Sequence, residues 1–170
     1  MLNSIKYLAV VMALVISAGA LAEGKVAVLD VDRAILQTQE ATKRFKALQD
    51  QADFKADRAE FEKLKKLQED LVKQYQKDLA VMSNDQKEAQ RKKIASAQAD
   101  LEHVGRKLQA AEQEVAQALA QEMAPKLQAV VADIIKSEGI GLLINSKAVM
   151  HADTSFNVTA KVTEKLNQAK

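Results

Sequence analysis

The sequence predicts a mainly helical protein with a small β body, in which a long antiparallel helical hairpin projects from a β-rich association domain. The 170 residues include five Gly and one Pro, and neither residue type occurs between positions 25 and 104. Because turns recruit Gly and Pro, so long a run without them indicates long helices. Aromatic residues make up only 4% of the chain and Trp is absent, which argues against one large core.

Residues 1–22 predict a secretory signal peptide. Lys6 supplies the positive charge, residues 8–16 form an apolar core, and Ala20-Leu21-Ala22 places small residues where a signal peptidase needs them. We expect cleavage after Ala22. The apolar segment is shorter than the roughly 20 residues that span a bilayer, although a retained anchor is the alternative. The expected product is a soluble protein of the periplasm.

The first strand and the first helical arm are expected directly after the predicted signal peptide. Residues 25–31 form an apolar, β-branched run after Gly24, which predicts a buried strand. Asp32 is expected to cap the next helix. Beyond it, apolar residues recur every three or four positions and predict one helix of about 50 residues. The expected core positions are Ile35, Phe45, Leu48, Ala52, Ala56, Ala59, Leu64, Leu67, Leu71, Tyr75, Leu79 and Met82.

The turn of the hairpin is expected near residues 83–85. Ser83 and Gln86 have the spacing of a capping box, so a second helix should begin here. Its apolar seam alternates spacings of three and four, which predicts a coiled-coil contact with the first arm. We expect a kink at Pro125 and a helix end at Gly139. The seam consists of Ile94, Ala97, Leu101, Val104, Leu108, Ala111, Val115 and Ala118.

The hairpin returns the chain to its starting point, where the remaining residues predict strands and a last helix. Residues 141–146 and 148–151 predict two strands, of which the first should pair with residues 25–31. Residues 157–169 predict an amphipathic helix. Its apolar face would consist of Val158, Val162 and Leu166. The expected domains are a signal peptide at 1–22, an association body at 23–31 and 138–170, and the hairpin at 32–137.

The composition excludes several classes of function. The chain has no Cys, so disulfides, Cys-ligated metals and thiol catalysis are excluded. His103 and His151 have no neighbouring ligand pattern, and there is no GxxxxGK[ST] phosphate loop. Asp30 and Asp32 resemble a carboxylate pair, but helix capping explains Asp32 more simply. We expect no enzyme activity, no catalytic residue, no cofactor and no metal site.

The distribution of charge points to the predicted tip of the hairpin. The whole chain has 25 basic and 23 acidic residues, a balance that predicts no nucleic-acid partner. Around the tip, residues 73–93 hold six basic and three acidic residues. The candidate contacts to a client or an anionic surface are Lys73, Lys77, Met82, Lys87, Arg91, Lys92 and Lys93. The alternative for this cluster is a solvated helix surface. Apolar residues near the tip and along the arms are hairpin core or client contacts: Phe54, Phe61, Tyr75, Leu79 and Val81.

The predicted body is very small, which suggests an oligomer. Three short strands and one short helix enclose little apolar surface, and the exposed edges of a small sheet favour pairing with another copy. The candidate residues for subunit association are Val26, Val28, Leu142, Ile144 and Val149.

Taken together, the elements resemble the Skp/OmpH family of periplasmic chaperones. The resemblance rests on the first strand, on Gly139-Ile-Gly-Leu-Leu-Ile-Asn-Ser146, on Ala148-Val-Met-His151 and on Thr154-Ser-Phe-Asn-Val-Thr159, and it covers the expected mature chain. It implies a homotrimer whose β-rich trimerisation body carries three hairpins around a cavity. The implied function is that of an ATP-independent holdase, which binds unfolded outer membrane proteins and prevents their aggregation before insertion.

The resemblance also implies the partners. These are the unfolded clients, two further copies of the chain and, through basic residues, anionic lipid or lipopolysaccharide. A structural or adaptor coiled-coil protein of the cell envelope is the alternative function, because the hairpin alone would permit it.

Overall fold

The computed structural model describes residues 24–169 as two antiparallel helical arms that extend from a two-stranded sheet. The elements in chain order are β1 Lys25–Leu29, α1 Val31–Leu36, α2 Gln39–Asp50, α3 Ala52–Asp78, α4 Asn84–Glu138, β2 Ile140–Asn145, short 3₁₀ turns at Ser146–Ala148 and Thr154–Phe156, and α5 Thr159–Gln168. The mainly helical class with a small sheet is confirmed. The predicted signal peptide lies outside the described residues. None of the helices between residues 24 and 169 has the length and apolarity that crossing a membrane requires.

The second arm, α4, is one helix of 55 residues, about 80 Å long at ~1.5 Å per residue. Its predicted capping box is confirmed, because Ser83 Oγ accepts from Gln86 N at 3.3 Å and the Gln86 side chain accepts from Ser83 N at 2.8 Å. The helix continues through Pro125 and ends at Gly139, as expected, and the φ of 65° at this glycine is the left-handed conformation typical of a helix end. Every residue of the predicted seam is buried or half-buried.

The first arm is not one helix, and that prediction is wrong. It is interrupted before Gln39 and again at Gln51, where the backbone is extended with φ −64° and ψ 139°. At the first interruption, Thr38 is also extended, and its Oγ1 accepts from Ala41 N at 3.1 Å. A Thr side chain that bonds to the backbone stabilises a new helix start at the expense of a continuous helix. Apolar periodicity does not reveal this competition.

The interruptions change which side chains face the second arm. Phe54 is buried, and Phe61 lies against Gly105, where a Cβ would be 3.2 Å from the ring. The first arm therefore packs through two aromatic residues that its apolar spacing did not place in the core. Five predicted core positions are exposed instead: Ala52, Ala56, Ala59, Leu67 and Leu79.

The predicted pairing between the first strand and the strand after the hairpin is confirmed. β1 and β2 run parallel, with Val26 opposite Leu142 and Val28 opposite Ile144. The parallel direction follows because the two arms return the chain to the end at which β1 began. Beside the first pair, Gly24 and the glycine at position 141 approach so closely that a Cβ on Gly24 would lie 2.4 Å from the opposite Cα.

The second strand predicted after the hairpin, at residues 148–151, is not formed. Asn145 Oδ1 accepts from Lys147 N at 2.9 Å, and the resulting 3₁₀ turn directs the chain away from the sheet. Val149 keeps an extended backbone but has no ladder partner among residues 24–169. The chain returns to the sheet only at Asn157, which forms an isolated bridge with Val28.

The core lies where the sheet, α5 and the start of the hairpin meet. Asp30 caps α1, since its Oδ1 accepts from Arg33 N at 2.9 Å, so the expected cap at Asp32 is wrong by two residues. Asp32 instead forms an ion pair with Lys147. The predicted apolar face of the last helix is confirmed, with Val158 half-buried beside two buried residues. The buried centre includes Leu29, Ala34, Ile35, Leu119, Ile134, Val162 and Leu166.

Candidate functional site

The tip of the hairpin, residues 79–83, exposes apolar side chains. The amides of Val81 and Met82 both donate to Asp78 O, at 3.0 and 3.1 Å, which closes the last turn of α3. Val81 is 84% exposed and Leu79 is 41% exposed. Met82 is half-buried in a shallow pocket that Gln90 and Lys93 also line. The tip therefore presents a small apolar group at the far end of the molecule.

Basic side chains surround this tip, and they differ in whether they contact other side chains. Arg91 Nε donates to Tyr75 Oη at 2.9 Å, and its guanidinium lies 5.9 Å from the centroid of that ring, so Arg91 joins the two arms. Lys92 pairs with Glu88 at 2.7 Å on the same helix. Within residues 24–169, four of the candidate side chains form no ion pair: Lys73, Lys77, Lys87 and Lys93.

Polar contacts also join the arms between the tip and the body. Lys107 pairs with Asp57 at 2.6 Å, and this hydrogen bond raises the pKa of the lysine above its ordinary value. Nearer the body, Arg44 pairs with Glu122 at 2.6 Å. Because Phe54 is buried between the arms, it is hairpin core, and the alternative of a client contact is wrong for that residue.

The outer face of the sheet is apolar and only partly covered, since Val28 is 6% exposed and Ile144 is half-buried. Alternate residues of a strand point to opposite sides, so Ala27 and Leu29 enter the core while their neighbours point away from it. On the outer side, Val26 is 42% and Leu142 is 53% exposed. We call these residues the sheet face: Val26, Val28, Leu142 and Ile144.

Most of the predicted association residues lie along one groove on this sheet face. The groove encloses about 350 Å³ and is lined by Val26, Val28, Ile144, Val149, His151, Ala152, Asp153 and Phe156. Leu142 lies opposite Val26 in the sheet. Sequence reasoning missed Phe156, which is 45% exposed at the groove. Its signal was present, because Phe156 is the only aromatic residue after Tyr75.

One edge of the sheet is also open. The free side of β1 is partly covered, because Val158 N donates to Val28 O at 3.0 Å. In the part of the chain that the structure describes, no strand pairs with the other side of β2. Met150, at a bend in the irregular segment that follows, is fully exposed. The body therefore holds an unpaired strand edge and an exposed irregular segment.

The described residues contain no group of three or more His, Asp or Glu side chains that is placed to hold a metal ion. His103 and His151 are both exposed, and they lie on the hairpin and on the body respectively. The fold and these surfaces define a class of protein: a helical hairpin on a small sheet, with an apolar face and a strand edge open to another chain.

The chain belongs to the OmpH family. The family described as Outer membrane protein (OmpH-like) matches residues 25–166, which include both arms and the sheet, and the resemblance found in the sequence is thereby confirmed. No curated protein sequence matches the chain significantly. Among solved structures, the chain is similar to a candidate outer membrane chaperone (OmpH-like) from Caulobacter crescentus, with 20% identity, a TM-score of 0.43, and coverage of 84% of this chain and 83% of that chain.

Proposed function

We propose that the protein is an ATP-independent holdase chaperone of the periplasm. In this proposal, it binds unfolded outer membrane proteins in a cavity between the hairpins of a homotrimer and prevents their aggregation before insertion. Membership of the OmpH-like family supports a role of this kind. The observation that carries the proposal is the open sheet face at the base of a long hairpin, because assembly there would bring several hairpins together.

Assembly through the body follows from its two unpaired parts. The segment at residues 149–152 of one copy, which is bent at Met150 in the single chain, would straighten and add to the free edge of β2 in the next copy, as a peptide adds to an exposed sheet edge. Such a contact joins different surfaces on the two copies, and contacts of that kind form a ring when the rotation between neighbouring copies closes. The ring would cover Val26, Leu142 and Phe156. It would also form the strand that was predicted at residues 148–151 and that one chain alone does not form.

Holding a client requires weak contacts with many sequences. A protein that binds only the unfolded state lowers the concentration of free unfolded chain, and no nucleotide is needed for that. The exposed charges of both signs along the arms supply polar contacts, and the tip supplies the apolar side chains of Leu79 and Val81. The residues proposed to contact clients near the tip are Lys73, Lys77, Met82, Lys87, Arg91, Lys92 and Lys93.

The holdase proposal is tested by dilution of a urea-unfolded β-barrel protein into buffer without ATP. We expect the mature chain, residues 23–170, to suppress light scattering at about one trimer per client. The matched variants are Leu142→Asp, on the sheet face, and Leu67→Asp, on the first arm, since these leucines are 53% and 47% exposed. Suppression should be lost only in Leu142→Asp. An assembled protein without any suppression would instead favour the structural or adaptor function.

The tip favours contact with an anionic surface as a second function. An exposed Val81 among lysines without ion pairs suits a bilayer interface or lipopolysaccharide, where apolar insertion and charge attraction add. We expect binding to phosphatidylglycerol vesicles but not to phosphatidylcholine vesicles, and loss of binding in the triple variant Lys73→Glu, Lys77→Glu and Lys93→Glu. The control reverses three exposed lysines in the middle of the arm: Lys63, Lys65 and Lys66. Equal loss in both variants would contradict a specific role of the tip.

A further inference from the structure

The last helix, α5, forms a row of hydrogen bonds with the backbone at the start of the hairpin. Thr159 Oγ1 accepts from Asp30 N at 3.0 Å. One turn later, Thr163 Oγ1 donates to Ala34 O at 3.0 Å. Residues four apart lie on the same side of a helix, so a third contact is placed one further turn along. We call this set the polar row: Thr159, Thr163 and Asn167.

The third contact of the polar row lies beyond the interruption in the first arm. Asn167 Oδ1 accepts from Gln39 N at 2.8 Å. Gln39 is the first residue of α2, and its amide has no partner within that helix. Thr163 therefore holds the chain before the interruption at Thr38, and Asn167 holds it after. One rigid helix fixes the two sides of a break relative to each other.

The position of α5 is fixed independently of Asn167. Val162 and Leu166 are 1% and 3% exposed, so the helix is anchored in the core. Two ion pairs also join it to the end of α4: Lys161 with Glu138 and Lys165 with Asp133. Because α5 is held against α4, the contact at Asn167 adds to the burial of Ala41 and the ion pair of Arg44 with Glu122 in fixing the start of the first arm relative to the second arm and the body.

Asn167 itself lies at the solvent-facing end of the row. Its side chain lines a polar groove of about 350 Å³ that Lys43 and Lys126 also line. Loss of an exposed hydrogen bond removes an orientation constraint while the apolar core of α5 remains intact. Its effect is therefore on geometry more than on folding.

We propose that Asn167 is a positioning residue, and that through it α5 sets the angle at which the first arm leaves the body. The angle determines how far the hairpin leans from the sheet. Its consequence for the size of client that is held rests on the proposed function, whereas the angular role itself does not.

The test measures a distance between two spin labels by pulsed electron resonance. Since the chain has no Cys, labels are introduced through Ala160→Cys on α5 and Lys63→Cys on α3, both exposed positions. Labelled chain is refolded with an excess of unlabelled chain, so that only distances within one subunit are recorded. We expect Asn167→Ala to shift and widen the distance distribution.

Two variants separate positioning from a general structural role. Asn167→Asp keeps an acceptor for Gln39 N. The start of α2 favours its added charge and the last turn of α5 disfavours it, so the retained acceptor should restore the distribution of the unsubstituted chain. Gln168→Ala, at the exposed neighbouring residue, should also leave it unchanged. An unshifted Asn167→Ala distribution, or an Asp variant as wide as the Ala variant, would overturn the proposal. Asn167→Ser, which is polar but too short to reach Gln39, replaces the Ala variant if circular dichroism shows that the latter does not fold.

Client assays then separate this inference from the proposed function. If the protein is a holdase, Asn167→Ala should change the ratio of protection given to a small and a large β-barrel client, and Asn167→Asp should restore it. A shifted spin-label distance in a protein that protects no client would support the role of Asn167 and overturn the holdase proposal.

Discussion

The two ends of the hairpin are held in different ways. At the body end, Leu119 and Ile134 are 1% and 2% exposed, and α5 adds hydrogen bonds and ion pairs around them. At the tip, Val81 is 84% exposed, and the contact of Arg91 with Tyr75 is the nearest polar link between the arms. Stability in a protein is not uniform, and it follows the density of buried contacts. The body end is therefore built to fix a geometry, and the tip is built to adapt.

The sheet face gives the largest expected difference between the two ends. Leu142→Asp places a charge in the surface through which we propose that subunits associate, and burial of an unpaired charge is strongly unfavourable. We expect its native mass, measured by light scattering with refractive-index detection, to fall to that of one subunit. Val81→Asp at the tip should leave the mass unchanged. A tip variant that dissociates the assembly would reverse the assignment of the two ends.

The second-largest expected difference between the two ends is in the stability lost when a side chain is truncated. Leu119→Ala leaves a cavity in the core and should lower the free energy of unfolding by about 2–5 kcal/mol. Leu79→Ala at the tip should change it by less than about 0.5 kcal/mol, since the side chain is already 41% exposed. Urea unfolding at one fixed protein concentration provides the comparison. Equal losses would show that the tip is as firmly packed as the body end.

The contact between Arg91 and Tyr75 gives a smaller effect that is local to the tip. Tyr75→Phe removes the hydroxyl that accepts from Arg91 but keeps the ring beneath the guanidinium. We expect the free energy of unfolding to fall by about 0.5–1.5 kcal/mol at most, which is the range that a single hydrogen bond contributes. Hydrogen exchange should become faster at residues 72–92 and stay unchanged in α5. Faster exchange throughout the chain would instead place this contact in the global core.

Lowering the pH should destabilise the body end, and we expect this effect to be the smallest of those predicted here. The hydrogen bond from Lys161 holds the pKa of Glu138 below its ordinary value. A lowered pKa contributes stability above the pKa of the unfolded chain, and that contribution is lost as the pH falls below the ordinary pKa of a glutamate and through the lower folded value. Thermal melts of Glu138→Gln should therefore fall slightly below those of the unsubstituted chain at neutral pH and coincide with them in acid. A difference that grows in acid would contradict this origin.

Signals within a few residues made part of the fold predictable from sequence. The capping box at Ser83 and the left-handed Gly139 depend on neighbouring residues, and both were found. The start of α2 at Thr38 depends on a balance between continuing one helix and capping the next, which apolar spacing does not report. The polar row depends on contacts across more than 120 residues, such as that between Asp30 and Thr159, and no local pattern marks it.

The candidate surfaces show the same division. The apolar strands and their exposed edges predicted residues of the sheet face, and period-two geometry explains which side each residue faces in the structure. A strand at residues 148–151 was not formed, since the turn that Asn145 caps directs the chain away from the sheet. At the tip, the sequence identified the basic cluster, but it did not reveal that Arg91 contacts Tyr75 while Lys93 stays without an ion pair. Such differences arise only when two arms are placed side by side.

The central claim is that the body assembles copies of the chain so that their hairpins surround a shared space. The native mass of residues 23–170 over a wide range of concentration tests it most directly. Refractive index is the proper detector, because Tyr75 is the only Tyr in this segment and Trp is absent. The account predicts the mass of three subunits, with dissociation on dilution. A persistent monomer or a stable dimer would contradict it and leave the structural or adaptor function as the better explanation.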